Sequence, residues 1–336
     1  MRYSSPDAGL RATLTPGVVA LVAGVLLVQL GFLLSYIGAF HHPDPQRVPL
    51  AVVAPEKVAQ RIDALPGRPV EVTAVKDESA ARARIMDRDA QGAYVMNPKG
   101  DEDTLLVASG GGGPVTEAVK QVGKKVAADQ DRKLKVEDIS PSGDEDYNSL
   151  TAFYLVVGWL VGGYLVASLL GVSIGTRPAR PGLAGLRLAG VAVYSVVSGL
   201  GAAIIVGPVL HALDGHFMAL WWIGALTVFG TAAVTMALEA FFGVVGIGIA
   251  VVIFVVLGNP SAGGAFQKQL IPPFWRAIGD WLPAGAGTTA VRNTVYFSGN
   301  ALASPMLVLS IWAVAGVVLL LIGSMRRREP DLSLPI

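Results

Sequence analysis

The sequence predicts an α-helical polytopic membrane protein of six transmembrane helices, with a re-entrant helical element between spans five and six and an inserted extracytoplasmic α/β domain. Three observations carry this expectation. The 336 residues have a mean hydropathy of +0.55 and contain several almost uncharged apolar runs, where crossing a bilayer takes roughly 20 residues. The formal net charge of +1 conceals a segregation, because residues 41–148 hold 15 of the 26 Lys and Arg and 19 of the 25 Asp and Glu. Between the last two apolar runs lies LGNPSAGGAFQKQLIPPFWRAIGDWLPAGAG (257–287), too broken by Pro and Gly to span and too aromatic for an ordinary solvated loop.

Residues 1–16 are expected to form a cytoplasmic N-terminus. Gly17–Phe40, 24 residues without a charge, is the first span. It is longer than the roughly 7–15-residue apolar core of a cleaved signal peptide, which favours an uncleaved anchor. Span two is expected at Thr151–Val172 and span three at Leu188–Leu210. Phe217–Leu257 runs for 41 residues with one charge, Glu239. A single helix of that length would measure about 60 Å, twice the hydrocarbon core, so spans four and five form a hairpin turning near Glu239–Gly243. Span six is expected at Ala303–Met325, inside a 151–325 membrane region whose external segment is 259–302, and 326–336 is a cytoplasmic tail.

Basic residues orient the chain. With the N-terminus inside, the cytoplasmic side carries eight (Arg2, Arg11, Arg177, Arg180, Arg187 and Arg326–Arg328), against Lys268, Arg276 and Arg292 outside the large domain. Both termini are then cytoplasmic, and Phe153, Tyr154, Phe217, Trp221 and Trp222 fall at the outer interface, where aromatic rings concentrate.

Within the domain 41–150, VPLAVVAP, VEVTAV, GAYVM, TLLVAS and LKVEDI read as strands. EKVAQRIDAL, ESAARARIMDRD and TEAVKQVGKKVAADQD carry helical periodicity. The order βαβαββαβ predicts helices packed on a mixed sheet. The run Gly110–Gly113 precedes a helix, but it lacks the GK[ST] of a phosphate-binding loop and reads as a flexible turn. His41, His42 and Asp44, like His211, Asp214 and His216, read as water-facing turn residues, so no metal is expected. There is no cysteine, no HExxH and no GxSxG. No catalytic residues, no cofactor and no nucleic-acid partner are expected, and the chain is not read as an enzyme.

Inside the spans, Gly158-x-x-x-Gly162, Gly243, Gly246 and Gly248 would let helices approach closely, within one chain or in a homodimer. Glu239 reads as a hydrated residue at the cytoplasmic end of the hairpin, capping the next helix. The competing reading is a proton or substrate group, or a contact to a partner. In 259–302, AFQKQLIPPFWRAIGDWL divides into two short helical pieces at Pro272-Pro273, and TTAVRNTVYF supplies a third. Each is too short to cross the bilayer, and irregular backbone enters it only where protein or a water-filled cavity surrounds it. A re-entrant roof over the bundle is expected, with a peripheral loop on the lipid headgroups as its competitor.

Six spans with a broken element before the last resemble the ABC type-2 permease superfamily. The wording LGNPSAGG…LIPPFWRAIGDWLPAGAGTTAVRNTVYFSG is similar to its phage-infection-protein branch, as are AARARIMDRDAQGAYVMNP and the acidic-aromatic return PSGDEDYNSLTAFY. That resemblance implies a membrane-embedded subunit in a bacterial cell membrane, exporting an amphiphile as a homodimer beside a separate ABC ATPase subunit. On this reading the substrate path or gate falls on Pro272, Pro273, Phe274, Trp275, Asp280, Trp281, Pro283 and Arg292. Cytoplasmic coupling falls on Arg177, Arg180 and Arg187 in the 173–187 loop and on the turn around Glu239. The alternative is a non-transporting receptor or envelope scaffold acting through the external domain.

Overall fold

The computed structural model describes residues 15–178 and 180–325. The expected cytoplasmic tail and nearly all of the expected N-terminus, with Arg2, Arg11 and Arg326–Arg328, lie outside the described residues.

Helix α1 (Pro16–Phe40) opens with Pro16 in its first turn, where a missing N–H costs nothing, and Thr15 Oγ1 accepts from Val18 N at 3.4 Å. It is apolar all round and largely exposed, as a helix against lipid is. Only its C-terminal half is tethered. There Ser35 Oγ accepts from Trp275 Nε1 at 3.0 Å, and Gly31 faces Val256.

The mixed sheet contains β1 (Val48–Val53), β2 (Val70–Ala74), β3 (Gly92–Val95), β4 (Glu102–Val107) and β5 (Lys133–Asp138), in the order β2-β1-β3-β4-β5. Only β3 and β4 pair antiparallel. The parallel pairs are joined through α2 (Glu56–Asp63), α3 (Glu78–Met86) and α4 (Gly113–Ala128), so the order of elements is βαβαββαβ, as the periodicities predict. Side chains alternate between faces along each strand. Leu50, Val52, Tyr94 and Leu105 meet α2 and α4 on one face, while Ala51, Ala93 and Leu106 meet Ala81 and Ile85 of α3 on the other. Both cores contain a side chain from far along the chain. Leu270 completes the first and Phe297 the second.

The membrane part is built around α7 (Phe217–Phe242), which packs against α5 (Thr151–Ile174), α6 (Pro181–Ile204) and α12 (Ala303–Met325). Small residues make this possible. A Cβ on Gly163 would stand 2.8 Å from Val228 O, one on Gly199 2.6 Å from Trp221 O, and one on Gly316 2.6 Å from Val234 N. The glycine pair singled out in span two is not that contact, because Gly158 has open space around it and Gly163 is the residue against α7. Span three starts earlier than expected, at Pro181, whose fixed φ suits a helix N-terminus, and it ends in a π turn at Ile205–Val209 around Pro208.

The hairpin after α7 turns at Gly243, whose φ of 62° favours glycine, and Gly246 packs on the backbone of Leu238 and Glu239. The returning limb comprises α8 (Val245–Val251), a π segment Val252–Leu257 and α9 (Gly258–Ser261). Its 17 residues reach about 26 Å, short of a hydrocarbon core of about 30 Å. Among the described residues, five helices (α1, α5, α6 with its π turn, α7 and α12) are long and apolar enough to cross a membrane. The chain is therefore a helical membrane protein with an α/β part.

Between α9 and α12 the chain forms a 3₁₀ turn (Lys268–Leu270), α10 (Pro273–Gly279) and α11 (Pro283–Tyr296). The helix expected in AFQKQL is only this 3₁₀ turn. Pro272 forces Ile271 into extended backbone (φ −111°, ψ 156°), so a helix cannot run through. The third piece is longer than expected, because Pro283 starts it five residues before Thr288. Helix α11 is mostly buried and lies among α5, α7, α9 and α12.

Candidate functional site

The α/β part and the α10–α11 segment meet through the run Gly110–Gly113, which is not the flexible turn the sequence suggests. A Cβ on Gly110 would lie 2.4 Å from the Tyr296 ring, one on Gly112 2.0 Å from Gln267 Nε2, and one on Gly113 2.5 Å from Asn148 Oδ1. Gly112 also has φ 135°, outside the range of ordinary side chains. Bare backbone is what lets the two parts touch. Gln267 Oε1 then accepts from Val115 N at 3.1 Å, satisfying an amide that the first turn of α4 leaves without an intrahelical partner. Gly112→Ala is expected to cost about 1–3 kcal/mol from backbone strain, plus the Gln267 contact. Thermal unfolding of the full chain tests this, and an unchanged midpoint would mean the seat is loose.

Next to this seat is a polar cavity of about 250 Å³, lined by Arg88, Gln91, Gln267, Lys268, Asp280 and Arg292 among others. Arg88 follows α3 in left-handed backbone (φ 67°), and its guanidinium lies 4.0 Å from the Phe297 ring centroid. Arg292 projects from α11, is 4% exposed, and donates to the carbonyls of Ser149 (3.0 Å), Gly263 (2.5 Å) and Gly264 (3.3 Å). Burial lowers both guanidinium pKa values to about 10; at Arg88 the charge of Arg292 adds to it, and at Arg292 the charge of Asp146 opposes it. Both are protonated at neutral pH. Lys268 Nζ donates to Asp280 Oδ2 at 2.7 Å at the exposed rim. Such an arrangement can hold an anion.

The residues expected to form a path or gate divide between several surroundings. Asp280 and Arg292 line the cavity. Pro272 caps α10, Pro273 opens it, and Pro283 opens α11. Trp275 packs on Gly38 and binds Ser35, pinning α1. Phe274 and Trp281 point outward, 56% and 69% exposed, and the Trp281 carbonyl accepts from Trp312 Nε1 at 2.8 Å. Arg88, Gln91 and Gln267 were missed. Arg88 sits among Arg82, Arg84, Asp87 and Asp89, a spacing that reads as a solvated helix end, and no local signal separates it.

The expected coupling residues are largely occupied at helix ends. Arg177 Nε donates to Ala240 O at 2.8 Å, and Arg187 donates to Ile174 O and Gly175 O at 2.9 and 2.7 Å. Arg180 is the N-cap residue of α6, through its backbone. The hydrated position expected for Glu239 is overturned. It is 1% exposed on the α5 side of α7, pressed on Gly171, with Oε1 unpartnered among the described residues.

No protein-family model, no curated protein and no solved structure matches this chain.

Proposed function

We propose that the chain is the permease-like subunit of an ABC type-2 exporter, moving an amphiphilic substrate outward as a homodimer beside a separate ATPase subunit. The observation that carries this reading is α11. It is a 14-residue helix, too short to span, enclosed by α5, α7, α9 and α12 and joined by irregular backbone to a polar cavity. Broken helices surrounded by protein mark substrate sites in transporters. In this reading the limb Val245–Ser261 is the fifth of six crossings, shortened and closed by α10 and α11, and the α/β part is extracytoplasmic.

Two further features agree with an amphiphilic cargo. A groove of about 340 Å³ between α5 and α6 is lined by Val166, Leu170, Leu186 and Val191, with Arg187 as its one charge. The π segments at Ile205–Val209 and Val252–Leu257 flank the bundle, and such segments recur at functional sites. The similarity of 257–299 to the phage-infection-protein branch adds to this.

Purification of the full chain from native membranes in mild detergent tests the partner. A stoichiometric ATP-binding subunit is expected, and its reproducible absence would sink the exporter reading in favour of a scaffold. Replacing Pro272 and Pro273 by alanine should stop export without preventing membrane insertion, and normal export by that variant would count against a gate there.

A further inference from the structure

We infer that the cavity between the end of α3 and the α10–α11 segment binds a phosphate group, held between Arg88 and Arg292. The inference deepens the exporter reading by naming the chemistry of the substrate's polar end, and it is tested by binding alone.

Charge balance is the first argument. Arg88, Lys268 and Arg292 bring three positive charges to the cavity wall and Asp280 one negative. Asp280 is already committed to Lys268. Asp146, whose charge reaches Arg292, has its oxygens engaged by Thr151 N and by the Tyr296 hydroxyl. Among the described residues, two guanidiniums are thus left without a carboxylate in a partly buried space, repelling each other. Burying unpaired charge is costly, and an anion placed between them removes both the repulsion and the missing pairing.

Geometry is the second. The Arg88 side chain makes no hydrogen bond or ion pair with any described residue, and one face of its guanidinium is covered by Phe297. A stacked guanidinium keeps the N–H groups at its edge free, which is the fork that grips phosphate oxygens. Arg292 is tied by three backbone carbonyls, yet its Nε is buried without a partner among the described residues. Its neighbour Asn293 donates Nδ2 to Ala301 O at 3.2 Å, which fixes the amide and leaves Oδ1 as a buried acceptor with no donor among the described residues. A phosphate monoester, or a phosphodiester carrying a hydroxyl, supplies acceptors for the arginines and a donor for Asn293. The amides of Gln91, Gln267 and Gln269 on the same wall offer more donors than the two oxygens of a carboxylate use.

A phosphate can arrive on a lipid headgroup or free in solution, and two arms of one experiment separate these sources. The full chain is purified in mild detergent, then placed in nanodiscs of phosphatidylcholine with and without phosphatidylglycerol, and retained lipid is counted by native mass spectrometry. In parallel, the detergent-solubilised chain is titrated with inorganic phosphate, with chloride at equal ionic strength as reference, and its thermal midpoint followed. Selective retention of phosphatidylglycerol points to a headgroup, whereas a midpoint raised by phosphate alone points to the free ion.

In either arm Arg88→Gln is expected to weaken binding about ten- to hundredfold. The Arg88 side chain hydrogen-bonds to no described residue, so its replacement should leave the fold intact. If that variant is misfolded, Arg88→Lys replaces it, keeping the charge and losing the fork, with the same direction of change. Lys76→Gln, on an exposed surface of the domain, should bind as the wild type does. Absence of binding in both arms, or binding unchanged by Arg88→Gln and by Arg292→Lys, overturns the inference. Because transport is not measured, that failure leaves the exporter reading to its own test.

Discussion

Truncating Phe297 to alanine is expected to destabilise the full chain by about 3–5 kcal/mol, the usual cost of removing a buried phenyl ring. Phe297 is 0% exposed and packs with Ala51, Ile85, Ala93 and Leu106, residues of the sheet and α3, although it lies at the end of α11. The ring also supports the Arg88 guanidinium, so phosphate binding should fall in the same variant. Phe274→Ala, at a ring left 56% exposed, should change stability little. Thermal or denaturant unfolding of both variants in one detergent supplies the comparison. Equal midpoints would show that the domain does not depend on the α10–α11 segment for its core.

The second large effect lies inside the domain. Asp103 is fully buried and accepts from Arg132 Nη2 at 2.7 Å, Arg132 Nε at 2.8 Å and Asn97 N at 2.8 Å, and also from the Tyr94 hydroxyl. Arg132, only 16% exposed, donates further to the carbonyls of Asn97 and Gly100 at 2.6 and 2.8 Å. Asp103→Ala leaves that guanidinium without its counter-charge, and a loss of about 3–5 kcal/mol is expected.

The pH dependence follows from the same contacts. Burial pushes the Asp103 carboxyl up, but the hydrogen bonds from Arg132, Tyr94 and Asn97 outweigh it, and the net pKa lies below the ordinary value of 3.8. A carboxylate with a depressed folded pKa contributes stability that is complete above the unfolded value and is lost as pH falls through the folded one. The midpoint of the wild type should therefore drop on acidification below about pH 4, and the acid limb of Asp103→Ala should be shallower. Identical acid limbs would mean that other carboxylates govern acid unfolding.

Local composition by itself marks several parts of this architecture. The apolar runs became α1, α5, α7 and α12, helices of 23–26 residues, because backbone satisfaction in lipid leaves a helix as the only single-segment solution. The excess length of Phe217–Leu257 located the turn that Gly243 makes. Alternating and 3.6-residue periodicities carried the βαβαββαβ order, since each follows from one buried face of a strand or helix. The path residues were only partly legible. The aromatic, proline-rich wording of 257–299 marked an unusual segment, but it drew attention to Phe274 and Trp281, which point outward, as much as to Asp280 and Arg292.

What the sequence determined by itself was therefore the identity and order of the elements, each set by neighbours a few residues away. Tertiary structure decided where those elements meet. It made the Gly110–Gly113 run a docking seat, placed Leu270 and Phe297 in the cores of a domain more than a hundred residues earlier, and buried Glu239 against Gly171. It also brought Arg88 and Arg292, 204 positions apart, to one cavity wall. Close packing selects such partners by shape, and shape exists only once the helices and sheet have assembled, so an arginine that reads as solvated in the chain becomes half of a binding pair in the fold.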